Sequence, residues 1–328
     1  MNTTCISEEQ LSIYQSPYYI LMMLANCSVC LITYYWSIKA IRQLVRVSIL
    51  PLSTRIFLLV ILFFACLHQT SYFAIKLRSF YKIFSNLTNP CGLYEHVSDC
   101  YYIITGMLAG NFGMFLMQTT MTLDRAFATI FPNFCNYFKL SVSIVLSTIV
   151  TVTSFMFYNI LSYDDPLTSM VATCGHSPAN ISNRYDMFIR FCLLLSIVDI
   201  IIDTILIQHC YRKNKTHRFN VVDRYQSHET LKCAQSFFIL SLTHFIFTLV
   251  YCIIYVIIHI VATLMPLFAF TIFLQIVYLT PYFCLCSPIL IAKLMKYIKS
   301  NRIKNIKQLT SHIESQEDHI KRMQEMWK

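Results

Sequence analysis

The 328-residue sequence predicts an all-α membrane protein: a bundle of seven transmembrane helices with its N-terminus outside and its C-terminus cytoplasmic. Three observations predict it. The chain is 56% hydrophobic and only 13% charged, about half the ~25% charge of a soluble domain, so it has too little polar surface to face water all round. Seven apolar stretches each come close to the ~20 residues that cross a bilayer core. Finally, 21 of the 26 Lys and Arg fall on one side of this seven-span scheme and four on the other, with Arg190 inside a span. Basic residues accumulate on the cytoplasmic side. The net charge of +10 is thereby assigned to the membrane surface, and no nucleic-acid partner is predicted.

In chain order, residues 1–17 are a polar outer segment with the glycosylation sequon at Asn2. The apolar run that follows has no basic leader and no small-residue cleavage site, so it reads as a signal anchor. The spans are predicted at about 18–38, 56–75, 101–123, 140–160, 185–208, 235–258 and 267–292, with 293–328 as a cytoplasmic tail. The outer loop 76–100 carries a sequon at Asn86, and the outer loop 161–184 carries another at Asn180. The third span is expected to be central. It holds three of the five glycines, Gly106, Gly110 and Gly113, and the Gly106-x-x-x-Gly110 spacing lets helix backbones approach closely.

Few polar residues lie inside the spans, which makes each of them informative. Asp199 and Asp203 are four apart on one face of span five, and His244 lies at mid-depth in span six. An Asp199–His244 pair is one expectation, and carboxylates facing an internal polar space are the other. Asp186 and Arg190, also four apart, predict a local ion pair. Candidate lining for a small-molecule site comes from the outer halves of the spans: His68, Tyr72, Tyr101, Tyr102, Tyr251, Tyr255, Gln275 and Tyr278. The same tyrosines suit an interfacial aromatic belt. Asp124-Arg125 sits where span three ends; it reads either as a snorkelling, solvated pair or as an ion pair with a locked and a released state. Cys5, Cys91, Cys100 and Cys174 fall in outer segments, and their spacing alone leaves the pairing open, Cys91–Cys100 included. In the tail, Ile306, Ile313, Ile320 and Trp327 recur every seven residues, which fits a short coiled coil, an amphipathic helix or a solvated helix. The basic run Lys293–Lys307 suits anionic lipid. No enzyme motif, metal-ligand spacing or cofactor motif is present, so no catalytic residue, metal or cofactor is predicted.

Seven spans, an outer Cys100 and Asp124-Arg125 twenty-five positions later resemble the rhodopsin-type G-protein-coupled receptors. TLDRAFATIFP (122–132), RYQSHETLKCAQSF (224–237) and QEDHIKRMQEMW (316–327) resemble the nematode serpentine chemoreceptors of class alpha, the Sra family, and the resemblance covers nearly the whole chain. It implies a Cys100–Cys174 disulfide and an inner switch at Asp124 and Arg125. It also implies a chemosensory receptor in the plasma membrane of a sensory neuron cilium, coupling an external small ligand to a heterotrimeric G protein. Departures from the wider superfamily are clear. Ala126 follows Asp124-Arg125, span seven has Ser287-Pro288-Ile289-Leu290-Ile291, span two lacks an acidic residue, span six lacks proline and span four lacks tryptophan. A seven-helix ligand-gated channel and a proton-coupled transporter built on Asp199, Asp203 and His244 are the competing readings. Ligand identity and dimer formation are left open.

Overall fold

The computed structural model describes residues 7–46, 50–86, 90–93, 95–130, 132–163, 170–171, 174, 179–216, 221–261 and 264–326. Among these residues, seven helices are long and apolar enough to cross a membrane. A short helix α1 (Glu8–Tyr14) precedes them; Ser7 caps it by accepting from the Gln10 N–H at 3.2 Å. The first crossing helix, α2 (Pro17–Arg46), opens on a proline, whose missing N–H costs nothing at a first helical position. Then come α3 (Leu52–Ser85), α4 (Val97–Ile130), α5 (Pro132–Leu161), α6 (Ala179–Thr216) and α7 (Val221–Val261). The seventh crossing is made by α8 (Leu267–Val277) and α9 (Thr280–Met326).

The break between α8 and α9 has a local cause. Pro281 lacks the N–H that would bond back to Val277, and its ring excludes a helical Val277 carbonyl. Tyr278 accordingly takes φ −72°, ψ 91°, and the helix restarts with Tyr282 and Phe283 both donating to the Leu279 carbonyl. Pro288 lies inside α9 without ending it. From there α9 runs unbroken into the tail, so Ile306, Ile313 and Ile320 belong to a helix. The side chains of Ile306 and Ile313 and all of Trp327 lie outside the described residues.

The bundle is apolar on its surface and carries polar groups inside. Large hydrophobic side chains such as Leu31, Ile149, Leu194 and Val256 are exposed, whereas His68, Gln69, Asn111, Gln118, Asp199, Asp203 and His244 are buried. This inverts the soluble pattern and is what a hydrocarbon solvent requires. The central helix is α4: 61% of its most apolar window is buried, against 22% for the corresponding window of the α5 region. It packs on α3, α5 and α6. Its three glycines face α3. A Cβ on Gly106 would meet the Ser71 hydroxyl, one on Gly113 the Phe64 ring, and one on Gly110 the backbone of His68 at 2.6–2.8 Å.

The helices extend past the predicted spans, and this moves one residue out of a loop. Lys76, placed by hydropathy in the loop 76–100, is inside α3 and only 7% exposed. Beyond α3, Glu95–His96 (β1) pairs antiparallel with Met170–Val171 (β2), Glu95 opposite Val171. We call this the disulfide end of the bundle and the other the tail end.

Candidate functional site

Three groups of residues stack along the interior. At the disulfide end, Cys100 at the start of α4 is bridged to Cys174, with Cα atoms 5.3 Å apart, which anchors the strand pair to the bundle. Cys91 is also disulfide-bonded. Glu95 on β1 is buried beneath this clasp and takes two cations from α3, Arg78 at 3.0 Å and Lys82 at 2.7 Å. Arg78 also donates to the Asp99 carbonyl at 3.2 Å. Glu95 Oε2 lies 2.9 Å from Cys174 Sγ and 3.3 Å from Cys100 Sγ. These three side chains sit close enough together to suggest a metal centre, but both sulfurs are spent in the disulfide and offer no thiolate. The Asp186–Arg190 ion pair forms at 2.7 Å near the same end. Of the three sequons, Asn86 caps α3, its side-chain amide donating to the Lys82 carbonyl at 3.2 Å and the Gly92 carbonyl at 3.5 Å. Asn2 lies outside the described residues, as does the Asn180 side chain.

Below the clasp is a cavity between α4, α6, α7 and the α8–α9 break. Its walls are largely aromatic, with Phe115, Tyr185, Phe188, Phe247, Tyr251 and Phe283, and Leu279 and Thr280 at the helix break close one side. Asn111, His244 and Thr248 supply polar atoms. About 30 Å³ is free, room for one or two water molecules, so a larger guest requires the aromatic walls to move apart. His244 stacks on Phe283 at 4.8 Å and packs against a tilted Phe115 ring at 4.2 Å. Its Nε2 has no hydrogen-bond partner among the described residues, which leaves a buried polar atom facing apolar surroundings.

Of the eight residues expected to line a ligand site, Tyr251 lines this cavity, its hydroxyl 3.3 Å from that of Tyr185. Tyr255 packs in the neighbouring apolar cluster. Tyr101 bonds to Asn159 and packs on Tyr158 at the α4–α5 seam. Tyr102 is 83% exposed and points away from the interior. The other four form a separate cluster between α3, α8 and the break: His68 Nε2 is 2.9 Å from the Tyr278 hydroxyl, Tyr72 lies against both rings, and Gln275 accepts from Lys76. The Lys76 ammonium also sits 4.9 Å over the Tyr72 ring. Among the described residues no carboxylate pairs with Lys76, and Glu95 is engaged by Arg78 and Lys82. A buried cation without a carboxylate is a net cost to the fold. Lys76→Met is therefore expected to raise the thermal stability of the purified protein by about 1–2 kcal/mol; a lower melting temperature would show that the ammonium has a structural use.

Toward the tail end a polar network joins the same helices. Thr119 donates to Asp199 at 2.8 Å; Gln118 donates to Ser241 at 2.6 Å, and Ser241 donates to Asp203 at 2.5 Å. Thr122 also hydrogen-bonds Asp203. Asp199 and His244 are not bonded to each other: Asp199 Oδ1 and His244 Nε2 are each left without a partner among the described residues. Arg125, one turn beyond Thr122, reaches across the bundle. Its guanidinium donates to Thr54 on α3 at 3.2 Å and lies 3.3 Å over the Phe237 ring on α7. Asp124 and Arg125 are both half-buried. Asn111, Phe115, Thr280, Phe283 and Glu95 were not predicted. Asn111 could have been found as a lone amide within the apolar run of α4, but the phenylalanines carry no signal that separates them from ordinary core.

Over residues 1–327 the chain matches the family model described as serpentine type 7TM GPCR chemoreceptor Sra. It is similar to serpentine receptor class alpha-11 of Caenorhabditis elegans, with 34% identity over 99% of this chain and 98% of that protein. It is likewise similar to class alpha-13 of the same organism, with 33% identity over 100% of this chain and 98% of the relative. Class alpha-11 of Caenorhabditis briggsae is 30% identical over 98% and 97% of the two chains.

Proposed function

This chain belongs to the Sra family of serpentine seven-helix chemoreceptors, and from that premise we propose that it binds a small external organic ligand in the aromatic cavity and activates a heterotrimeric G protein at the tail end. It is a multi-pass membrane protein and a chemosensory receptor by family. The proposal adds the orientation, the ligand site and the coupling route. The charge distribution supports an outer position for the disulfide end, where the oxidising compartment also suits the bridge.

One observation carries the reading: cavity and tail-end network lie on the same faces of the same three helices. On α4, Asn111 and Phe115 are followed by Gln118, Thr119, Thr122 and Arg125 at helical spacing. On α7, Thr248 and His244 are followed by Ser241 and Phe237, and on α6, Phe188 and Cys192 by Asp199 and Asp203. A guest that spreads Phe115, Phe247 and Phe283 must displace α7 against α4. The Gln118–Ser241–Asp203 bonds cross that same seam, and so does Arg125 on Phe237. A ligand with higher affinity for the spread arrangement shifts the population toward it, freeing the Arg125 guanidinium for a partner. The absence of proline from α7 assigns this motion to a helix shift rather than a swing about a kink.

The test is ligand-evoked signalling in cells supplied with a promiscuous G protein. Arg125→Ala is expected to reach the cell surface and lose most of the evoked signal; a full response from it would remove Arg125 from the switch. Asp199→Asn is expected to keep surface expression while altering basal or evoked signalling, because an amide replaces the carboxyl that accepts from Thr119 within the network. A response that survives removal of the G protein would favour an ion channel instead.

A further inference from the structure

A groove of about 670 Å³ opens at the tail end between α2 and α9. Four cations line it: Lys39, Arg42 and Arg46 from α2, and Lys299 from α9. The three on α2 follow i, i+3, i+7 spacing and so share one helix face. All four are exposed. Among the described residues none of them makes a hydrogen bond or ion pair, and the Lys39 ammonium only stacks 4.3 Å over the Trp36 ring. The helices that form the groove supply no counter-charge nearby. No Asp or Glu occurs between Glu9 and Glu95, and none between Glu229 and Glu314. Four cations around one groove with no acid on either wall are a site for an external anion.

The depth of the groove selects the kind of anion. The apolar run of α2 ends at Lys39, and the groove continues up into that run along Tyr35 and Ile38, both well exposed on the lipid-facing side. Tyr35 and Trp36 are interfacial aromatics. Arg42 and Arg46 lie about 4.5 and 10 Å further along the helix axis than Lys39, at headgroup level. Apolar contacts above and a cationic cup below match a phospholipid. A cup extending over about 10 Å suits phosphates at more than one depth rather than a single phosphodiester. We propose that this groove binds the phosphorylated headgroup of an inositol phospholipid, with an acyl chain along Tyr35 and Ile38. Arg42 and Arg46 hold the ring phosphates through paired N–H donors, Lys39 holds the phosphodiester nearest the hydrocarbon, and Lys299 closes the cup from α9. A lipid so placed ties α2 to the root of the tail helix. The proposal rests on the orientation argued above but on neither the ligand cavity nor G-protein coupling.

The full-length protein in phosphatidylcholine nanodiscs, titrated with fluorescent phosphatidylinositol bisphosphate, provides the test. Saturable binding is expected, at least about tenfold tighter than to fluorescent phosphatidylserine. Arg42→Gln/Arg46→Gln is expected to weaken it about thirtyfold, whereas Lys304→Gln, on the tail outside the groove, leaves it within about twofold. Both variants replace exposed side chains, and size-exclusion profiles matching the wild type establish that they fold. Soluble inositol trisphosphate competes only weakly if the acyl chain contributes. Three results would overturn the proposal: equal binding of phosphatidylserine, unchanged binding by the double variant, or competition by inositol trisphosphate as strong as by the unlabelled lipid. The last would assign the groove to a soluble phosphate instead. Loss of receptor signalling in Arg125→Ala has no bearing on this binding, so the two readings fail separately.

Discussion

Gly110→Ala is expected to destabilise the receptor by about 1–3 kcal/mol, and Gly110→Leu to abolish folded protein. The added Cβ would lie 2.6 Å from the His68 nitrogen, 2.7 Å from its Cβ and 2.8 Å from its Cα. Two of those atoms are backbone in the middle of α3 and cannot rotate aside. Relief requires α3 and α4 to separate along the whole seam, which also loosens the contacts α3 makes on its far side. There His68 meets Tyr278, and Gln69 donates to the Pro281 carbonyl at 2.7 Å and accepts from Cys30 at 3.0 Å. Gly106→Ala is the internal comparison. Its Cβ would meet only the Ser71 hydroxyl, at 2.4 Å, and a Ser71→Ala partner substitution removes that obstacle. The expected order of melting temperatures is wild type close to Ser71→Ala/Gly106→Ala, then Gly106→Ala, then Gly110→Ala. Should Gly110→Ala melt with Gly106→Ala, the close approach of the two backbones is not what holds this seam.

Glu95→Ala is expected to cost about 2–3 kcal/mol. The carboxylate is 3% exposed while Arg78 and Lys82 retain 33% and 23%. Removing it strands two cations that can each reach only partial hydration, so the loss falls below that of a fully buried pair. Lys82→Ala should cost much less, because Arg78 continues to satisfy the carboxylate. The readout is thermal unfolding of the purified protein in oxidising buffer, where the Cys100–Cys174 bridge stays closed in every variant. Equal losses for Glu95→Ala and Lys82→Ala would mean that Glu95 is not the hub of the clasp.

The seven crossings were legible because each is a local property. Apolar length, the charge at either end and the glycine spacing on α4 can be read without knowing what any helix touches. The glycine spacing even indicated close packing, although not that α3 would be the partner. Asp199, Asp203 and His244 were legible as polar groups inside apolar runs, since hydrocarbon makes such residues costly whatever surrounds them. Their partners were not. An Asp199–His244 pair and the observed Asp199–Thr119 and Asp203–Ser241 bonds are equally compatible with their spacing; what decides is that Thr119 on α4 reaches Asp199 while Phe115 and Phe283 flank the His244 ring. Lys76 was misplaced for a related reason. Hydropathy ends a span at the first cation, but here an amide from α8, Gln275, and the face of Tyr72 one turn back on α3 allow the cation to stay inside.

The sequence by itself determined the class of protein, its seven crossings and its family, because composition and motif survive without coordinates. Only the tertiary structure decided which aromatics enclose the cavity, that Arg125 lies against Thr54 and Phe237, that Glu95 sits beneath the disulfide, and that Lys39, Arg42, Arg46 and Lys299 share one groove. Each of these is a meeting of residues far apart in the chain. It is set by which faces the helices turn toward one another, and in a bundle whose surface and core are both apolar, hydrophobicity alone does not mark the inward face.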